Sequence, residues 1–118
     1  MKLAVEEAES QALLTAIEGQ GPYVTSVVGE VETVRACRRA SVPGDQIDRL
    51  RDALVVIALD DEVRQIAAAV DPPPLRTLDA IHLATALSLG GELDRIVTYD
   101  ARLAQAAELA GLAVVAPS

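Results

Sequence analysis

Apolar and small residues recur at helical spacing from Glu6 to Ile17, at Ala8, Ala12, Leu13 and Ile17, and Gly19 and Gly21 close the pattern. This predicts a short amphipathic helix. Pro22-Tyr23-Val24-Thr25 is a brief β-prone run, after which Thr25 or Ser26 is placed to cap a helix reaching about Ala40, with Val27, Val31 and Val34 as its inward face. Beyond Pro43-Gly44, Ile47, Leu50 and Leu54 mark a helix over Asp45 to Ala53. Val55-Val56-Ile57-Ala58-Leu59 then reads as a buried strand.

Asp60 or Asp61 starts a further helix to about Val70, which Pro72-Pro73-Pro74 stops. Thr77 is the expected cap of a long helix to Leu89, ended by Gly90-Gly91. Arg95 to Tyr99 is the next strand, Asp100 opens a helix over Ala101 to Ala110, and Leu112 to Val115 is a last strand. Strands that alternate with helices and lack hairpin turns predict crossovers, and so a mostly parallel sheet covered on both faces. The expected class is α/β.

Length and composition narrow this picture. The 118 residues suit one domain, and the core must come from Leu, Ile, Val and Ala because Phe and Trp are absent while 51% of the chain is hydrophobic. Cys37 is the only cysteine, which excludes an internal disulfide and a cysteine-built zinc site and fits a reducing cytoplasm. No segment approaches the ~20 uninterrupted apolar residues of a membrane span, so no membrane association is expected. A net charge of -8 argues against holding nucleic acid on a broad basic surface. It leaves open an enzyme whose carboxylates hold a cation.

Asp79 is the strongest chemical signal. It is a lone acid in Leu78-Asp79-Ala80-Ile81-His82-Leu83-Ala84-Thr85-Ala86, and an ionised carboxylate taken out of water must be paired, neutralised or bound to a cation. Functional groups of open parallel sheets collect at the carboxyl ends of strands and the amino ends of the following helices. Asp79, Asp100 and Glu32 all fall near such places. Each also has a structural reading: Asp100 as an N-cap, Asp79 as a partner of the helix dipole, and Glu32 as a surface partner of Arg35 or Arg39. Carboxylates ~4 Å apart repel by roughly 4 kcal/mol at an effective dielectric near 20, so a true cluster calls for a proton or a cation. Mg²⁺ is the expected cation, with Mn²⁺ as the alternative, and metal-assisted phosphodiester hydrolysis is the reaction class. A receiver-like arrangement around Asp60-Asp61 is a weaker reading.

Four stretches resemble the PIN-domain family, specifically VapC-like toxin ribonucleases of toxin–antitoxin pairs. They are Val5 to Ser10, Thr25-Ser26 with Glu32-Thr33-Val34-Arg35-Ala36, Leu78 to Ala86, and Val97-Thr98-Tyr99-Asp100 with Arg102-Leu103. The resemblance implies a PIN-like three-layer α/β/α fold over residues 1–118. It places Glu32, Asp79 and Asp100 as catalytic, metal-holding acids. Glu32 is preferred to Glu30 because the family's glutamate is followed by two mostly apolar residues, Arg and Ala. The same resemblance implies an RNA substrate, neutralisation by a cognate VapB-like antitoxin, and a homodimer.

The chain departs from the family at its start. Members usually open with a strand carrying a motif like L-D-T-S-A, whereas Met1-Lys2-Leu3-Ala4-Val5-Glu6-Glu7 matches the segment that follows it. That strand and its aspartate are therefore expected to be missing, as in a domain truncated at its amino terminus, with Met1 an internal start and about ten residues upstream. The alternative function is a catalytically impaired PIN-like binding module that keeps its antitoxin or self-association surfaces. His82 reads as a hydrogen-bonded core histidine rather than a ligand. Ser26 and Thr98 either orient the site or serve only capping and packing. Arg35, Arg38, Arg39 and Arg102 are candidates for phosphate contacts, although a solvated helix face explains Arg38 and Arg39 equally well.

Overall fold

The β-prone run before the first predicted cap forms a strand, Tyr23–Ser26, with all four residues buried, and Ser26 caps the helix that follows by accepting from Gly29 N at 2.9 Å. The computed structural model describes residues 2–5, 23–98 and 100–115. The helix predicted over Glu6 to Ile17 lies outside them, as does Tyr99.

Described elements alternate along the chain as expected. They are β1 (Lys2–Val5), β2 (Tyr23–Ser26), α1 (Val27–Arg39), α2 (Gly44–Ala53), β3 (Leu54–Ile57), α3 (Asp61–Ala69), α4 (Thr77–Ser88), β4 (Leu93–Val97), α5 (Ala101–Leu109) and β5 (Val114–Val115). A 3-10 turn, Gly90–Glu92, joins α4 to β4, with Gly90 at a positive φ of 56°. The five strands form one sheet in the order β3-β2-β1-β4-β5, and every described pairing is parallel.

The expectation for the opening residues is corrected. The sequence pattern gives Lys2–Val5 no strand and leaves an inner position of the sheet open, yet these residues form β1, the middle strand, paired with β2 on one side and β4 on the other. The backbone explains it: donors and acceptors inside a sheet need partners, and Leu3-Ala4-Val5 supplies an extended apolar run to meet them. Strand order reverses at β1, with β2 and β3 on one side and β4 and β5 on the other. The carboxyl ends of β1 and β4 thus flank a topological switch point.

Among the described residues, two side-chain clusters make the core. Tyr23, Cys37, Val42, Ile47, Leu50 and Leu54 join α1 and α2 to β2 and β3, with Val34 packed against them. Leu83, Ala86, Ile96, Leu103, Ala106 and Ala107 join α4 and α5 to β4. Helix α4 is buried along most of its length, from Asp79 and Ala80 through Ala86 with only Ile81 half-exposed, and its alanines let neighbouring elements approach closely.

Three further expectations change. The inward face of α1 is Gly29, Thr33 and Cys37, whereas Val27 and Val31 are 44% and 51% exposed. Gly29 sets this orientation: a Cβ there would stand 2.0 Å from Thr25 Oγ1, so only glycine lets the first turn settle onto the end of β2. Strand β3 is not buried throughout: it is an edge strand, and Val55 and Val56, on its opposite faces, are both exposed. Thr77 is the first residue of α4 rather than its cap. Arg76 holds the cap position in extended conformation with no side-chain bond.

Candidate metal centre

Helices α1 and α4 bring Glu32 and His82 together across 50 residues of sequence. His82 Nε2 lies 2.6 Å from Glu32 Oε1, and His82 Nδ1 lies 3.3 Å from Ser26 Oγ. One assignment of protons satisfies the whole chain of contacts: Gly29 N–H donates to Ser26 Oγ, the Ser26 hydroxyl donates to Nδ1, and Nε2–H donates to Glu32. Glu32 is part-exposed while the ring is 2% exposed, so a rigid buried ring holds a carboxylate that faces outward. His82 is thus the hydrogen-bonded core residue expected, and it also orients a candidate ligand. That contact is invisible in sequence because neither residue's local pattern points to the other.

Asp79 sits in the first turn of α4 and is 8% exposed. Among the described residues its carboxylate takes no hydrogen bond or ion pair. Burial pushes its pKa above the usual carboxylate value, and the nearby charges of Asp100 and Glu32 push it the same way, while His82 and Arg76 act in the opposite sense. The three predicted acids therefore share one electrostatic neighbourhood at the carboxyl edge of the sheet. Arg76, three residues before Asp79, belongs to it too. The sequence reading misses Arg76, although its i, i+3 spacing from Asp79 is an available signal.

Asp100 follows β4 directly at the switch point and caps α5, accepting from Arg102 N at 2.8 Å and Leu103 N at 3.1 Å through Oδ1. Capping and membership of the acidic group are compatible, because both bonds go to one oxygen. Thr98, buried, accepts from Asp100 N at 3.1 Å and so fixes the backbone that presents this acid. Glu30 turns elsewhere, toward Arg51 at 4.0 Å. Asp60 caps α3 by accepting from Val63 N at 2.9 Å, the ordinary use of an acid after a strand.

The acids are neighbours rather than a closed cage. Among the described residues, no three His, Cys, Asp or Glu side chains stand close enough to hold one metal ion directly. The donor chemistry still fits a hard divalent cation: the oxygens belong to carboxylates, their fields oppose one another at Asp79, and Mg²⁺ retains several waters and takes only one or two carboxylates directly. Of the four arginines singled out from sequence, Arg35, Arg38 and Arg39 line one depression on α1, whereas Arg102 lines a separate cavity with Pro72, Leu75 and Leu109.

Known proteins resemble this chain in sequence or in fold. The family model described as PIN domain matches residues 2–109. A Mycobacterium tuberculosis protein named Ribonuclease VapC46 is 42% identical over 119 residues, covering 100% of this chain and 92% of its own length. Another from that species, Ribonuclease VapC35, is 43% identical over 122 residues, covering 99% of this chain and 90% of its own length. A solved structure described as a toxin-antitoxin complex from Klebsiella pneumoniae superposes with a TM-score of 0.67 at 20% identity, covering 98% of each chain, a likeness of fold.

Proposed function

The chain belongs to the PIN-domain family, and from that premise we propose that it is a VapC-type ribonuclease that hydrolyses RNA phosphodiester bonds with a divalent cation, Mg²⁺ or Mn²⁺, held by Asp79, Asp100 and Glu32. The observation that carries the reading is Asp79, a carboxylate 8% exposed whose ionisation is opposed by burial and by two other acids. A bound cation would supply Lewis-acid polarisation of a phosphate oxygen and a more acidic water.

The protein's own groups have distinct parts in this scheme. Asp79 is fixed on a buried helix and contributes a carboxylate from an environment largely closed to water. Asp100 is presented from the end of β4 with its backbone held by Thr98, leaving its second oxygen clear of the capping bonds. Glu32 is kept in one orientation by His82, which in turn is held by Ser26. Orientation by such outer contacts typically matters 10–100-fold in metal affinity or activity.

Relatives named as VapC ribonucleases and a fold neighbour solved as a toxin-antitoxin complex support neutralisation by an antitoxin. A homodimer and a cytoplasmic setting belong to the same proposal. Among the described residues, no helix is long and apolar enough to cross a membrane. The competing reading, an impaired PIN-like binding module, is favoured by the lack of three directly ligating side chains among the described residues.

Incubation of the purified chain with single-stranded RNA in Mg²⁺ or Mn²⁺ separates the two. Cleavage that stops with chelation and in both Asp79→Asn and Asp100→Asn supports the nuclease. Persistent cleavage in either purified variant, or none in the parent with either metal, overturns it.

A further inference from the structure

The second half of α1 carries Arg35, Arg38 and Arg39, all exposed, and among the described residues these three line an open depression of about 290 Å³. Three like charges gathered on one surface of a chain with net charge -8 require an explanation. Pairing within the helix does not provide it. Glu32, at i−3 from Arg35, gives its carboxylate to His82, and Glu30 faces Arg51. Among the described residues, Arg35, Arg38 and Arg39 form no ion pair. The helix dipole accounts for a preference of ~0.3–1 kcal/mol for cations in the last turn, where Arg38 and Arg39 lie, but not for Arg35 or for the shared depression.

Placement relative to the acids is informative. Arg35 and Arg39 follow Glu32 at i+3 and i+7, so all three share one face of α1, and the arginines lie roughly 4.5 and 10.5 Å farther along the axis at 1.5 Å per residue. That is the scale of one or two nucleotides of an RNA strand whose scissile phosphate lies at the acids. Guanidinium groups grip phosphate oxygens in bidentate fashion and have no need of a base edge, so contacts here would position a strand without selecting its sequence. We infer that Arg35, Arg38 and Arg39 form a phosphate-binding site for single-stranded RNA that leads away from the acidic centre. This rests on the ribonuclease reading and adds to it the path of the substrate.

The test uses the full chain with Asp79→Asn, so that binding is read without cleavage, and a fluorescently labelled single-stranded RNA as probe. Anisotropy titrations across a range of NaCl give the slope of log K against log[salt], whose magnitude carries about 0.7 for each single-strand phosphate that the protein neutralises. Replacing all three arginines with Gln should lower the slope by about 2 and weaken binding at least tenfold in low salt. Replacing all three with Lys should keep the slope, and Arg35→Gln alone should lower it by about 0.7, which serves if the triple variant fails to fold. With Asp79 intact, the triple Gln variant should raise KM while single-turnover cleavage at saturating RNA stays near the parent's rate. A parental slope in the Gln variants overturns the inference while leaving the nuclease standing. So does a loss confined to binding of a poly-glutamate peptide, which would mark a protein-binding surface. A parent that neither binds nor cleaves RNA overturns the ribonuclease reading and this inference together.

Discussion

In Asp79, burial, Asp100 and Glu32 together oppose ionisation, which raises its pKa above the ordinary 3.8. A raised acid is protonated in both folded and unfolded chains at low pH and costs nothing there. As pH rises from about 3.8 through the raised value, the unfolded chain releases its proton first, so stability falls and stays lower at neutral pH. Asp79→Asn should therefore raise the melting temperature of the metal-free protein at pH 7, and the gain should shrink toward zero as the pH is lowered past 3.8. Thermal melts of parent and variant across pH check this. A variant less stable than the parent at pH 7 would contradict the burial argument. His82 acts differently, because its ring holds Glu32 rather than carrying the acidic group's charge. His82→Ala should lower cleavage by about 10–100-fold, and a cleavage rate equal to the parent's would show that the Glu32 contact is dispensable. Thr33 offers a control unconnected with chemistry: its buried hydroxyl has no hydrogen-bond partner among the described residues, so Thr33→Val should stabilise the fold or leave it unchanged.

At the scale of elements, α1 shows why a sequence pattern can mislead. Val27, Val31 and Val34 recur at helical spacing and look like a core face, yet the buried stripe is Gly29, Thr33 and Cys37. A glycine, a threonine and a cysteine carry little hydrophobic signal. What selects that stripe is the close approach of Gly29 to Thr25, a contact between two elements. Gly29→Ala should destabilise the protein by about 1–3 kcal/mol through overpacking against a stiff β-branched side chain, measured by urea unfolding. Unchanged stability would mean that α1 shifts freely on β2. Helix α4 is more legible, because an acid among Leu, Ile and Ala announces burial without knowledge of the partner. Caps are legible for the same local reason: Ser26, Asp60 and Asp100 each bond backbone N–H groups two or three residues ahead, whereas Thr77 misses its cap by one position.

For the whole molecule, alternation of helices and strands is enough to anticipate a parallel sheet, and the rule for such sheets is enough to bring Glu32, Asp79 and Asp100 to one edge. Strand order is not legible. Placement of Lys2–Val5 in the middle depends on hydrogen-bond partners contributed by β2 and β4, far along the chain. The family resemblance names the acids and the spacing of Arg35, Arg38 and Arg39 on α1 is readable along the chain, but the Glu32–His82 contact needs the packing of α1 against α4. On the proposed function, the three acids act as one cation site. Calorimetric titration of Mn²⁺ into the full chain, Asp79→Asn, and Glu30→Gln as a control tests it most directly. One saturable binding event is expected in the parent and in Glu30→Gln and none in Asp79→Asn, whereas equal binding in all three, or none in the parent, would rule out a shared cation site.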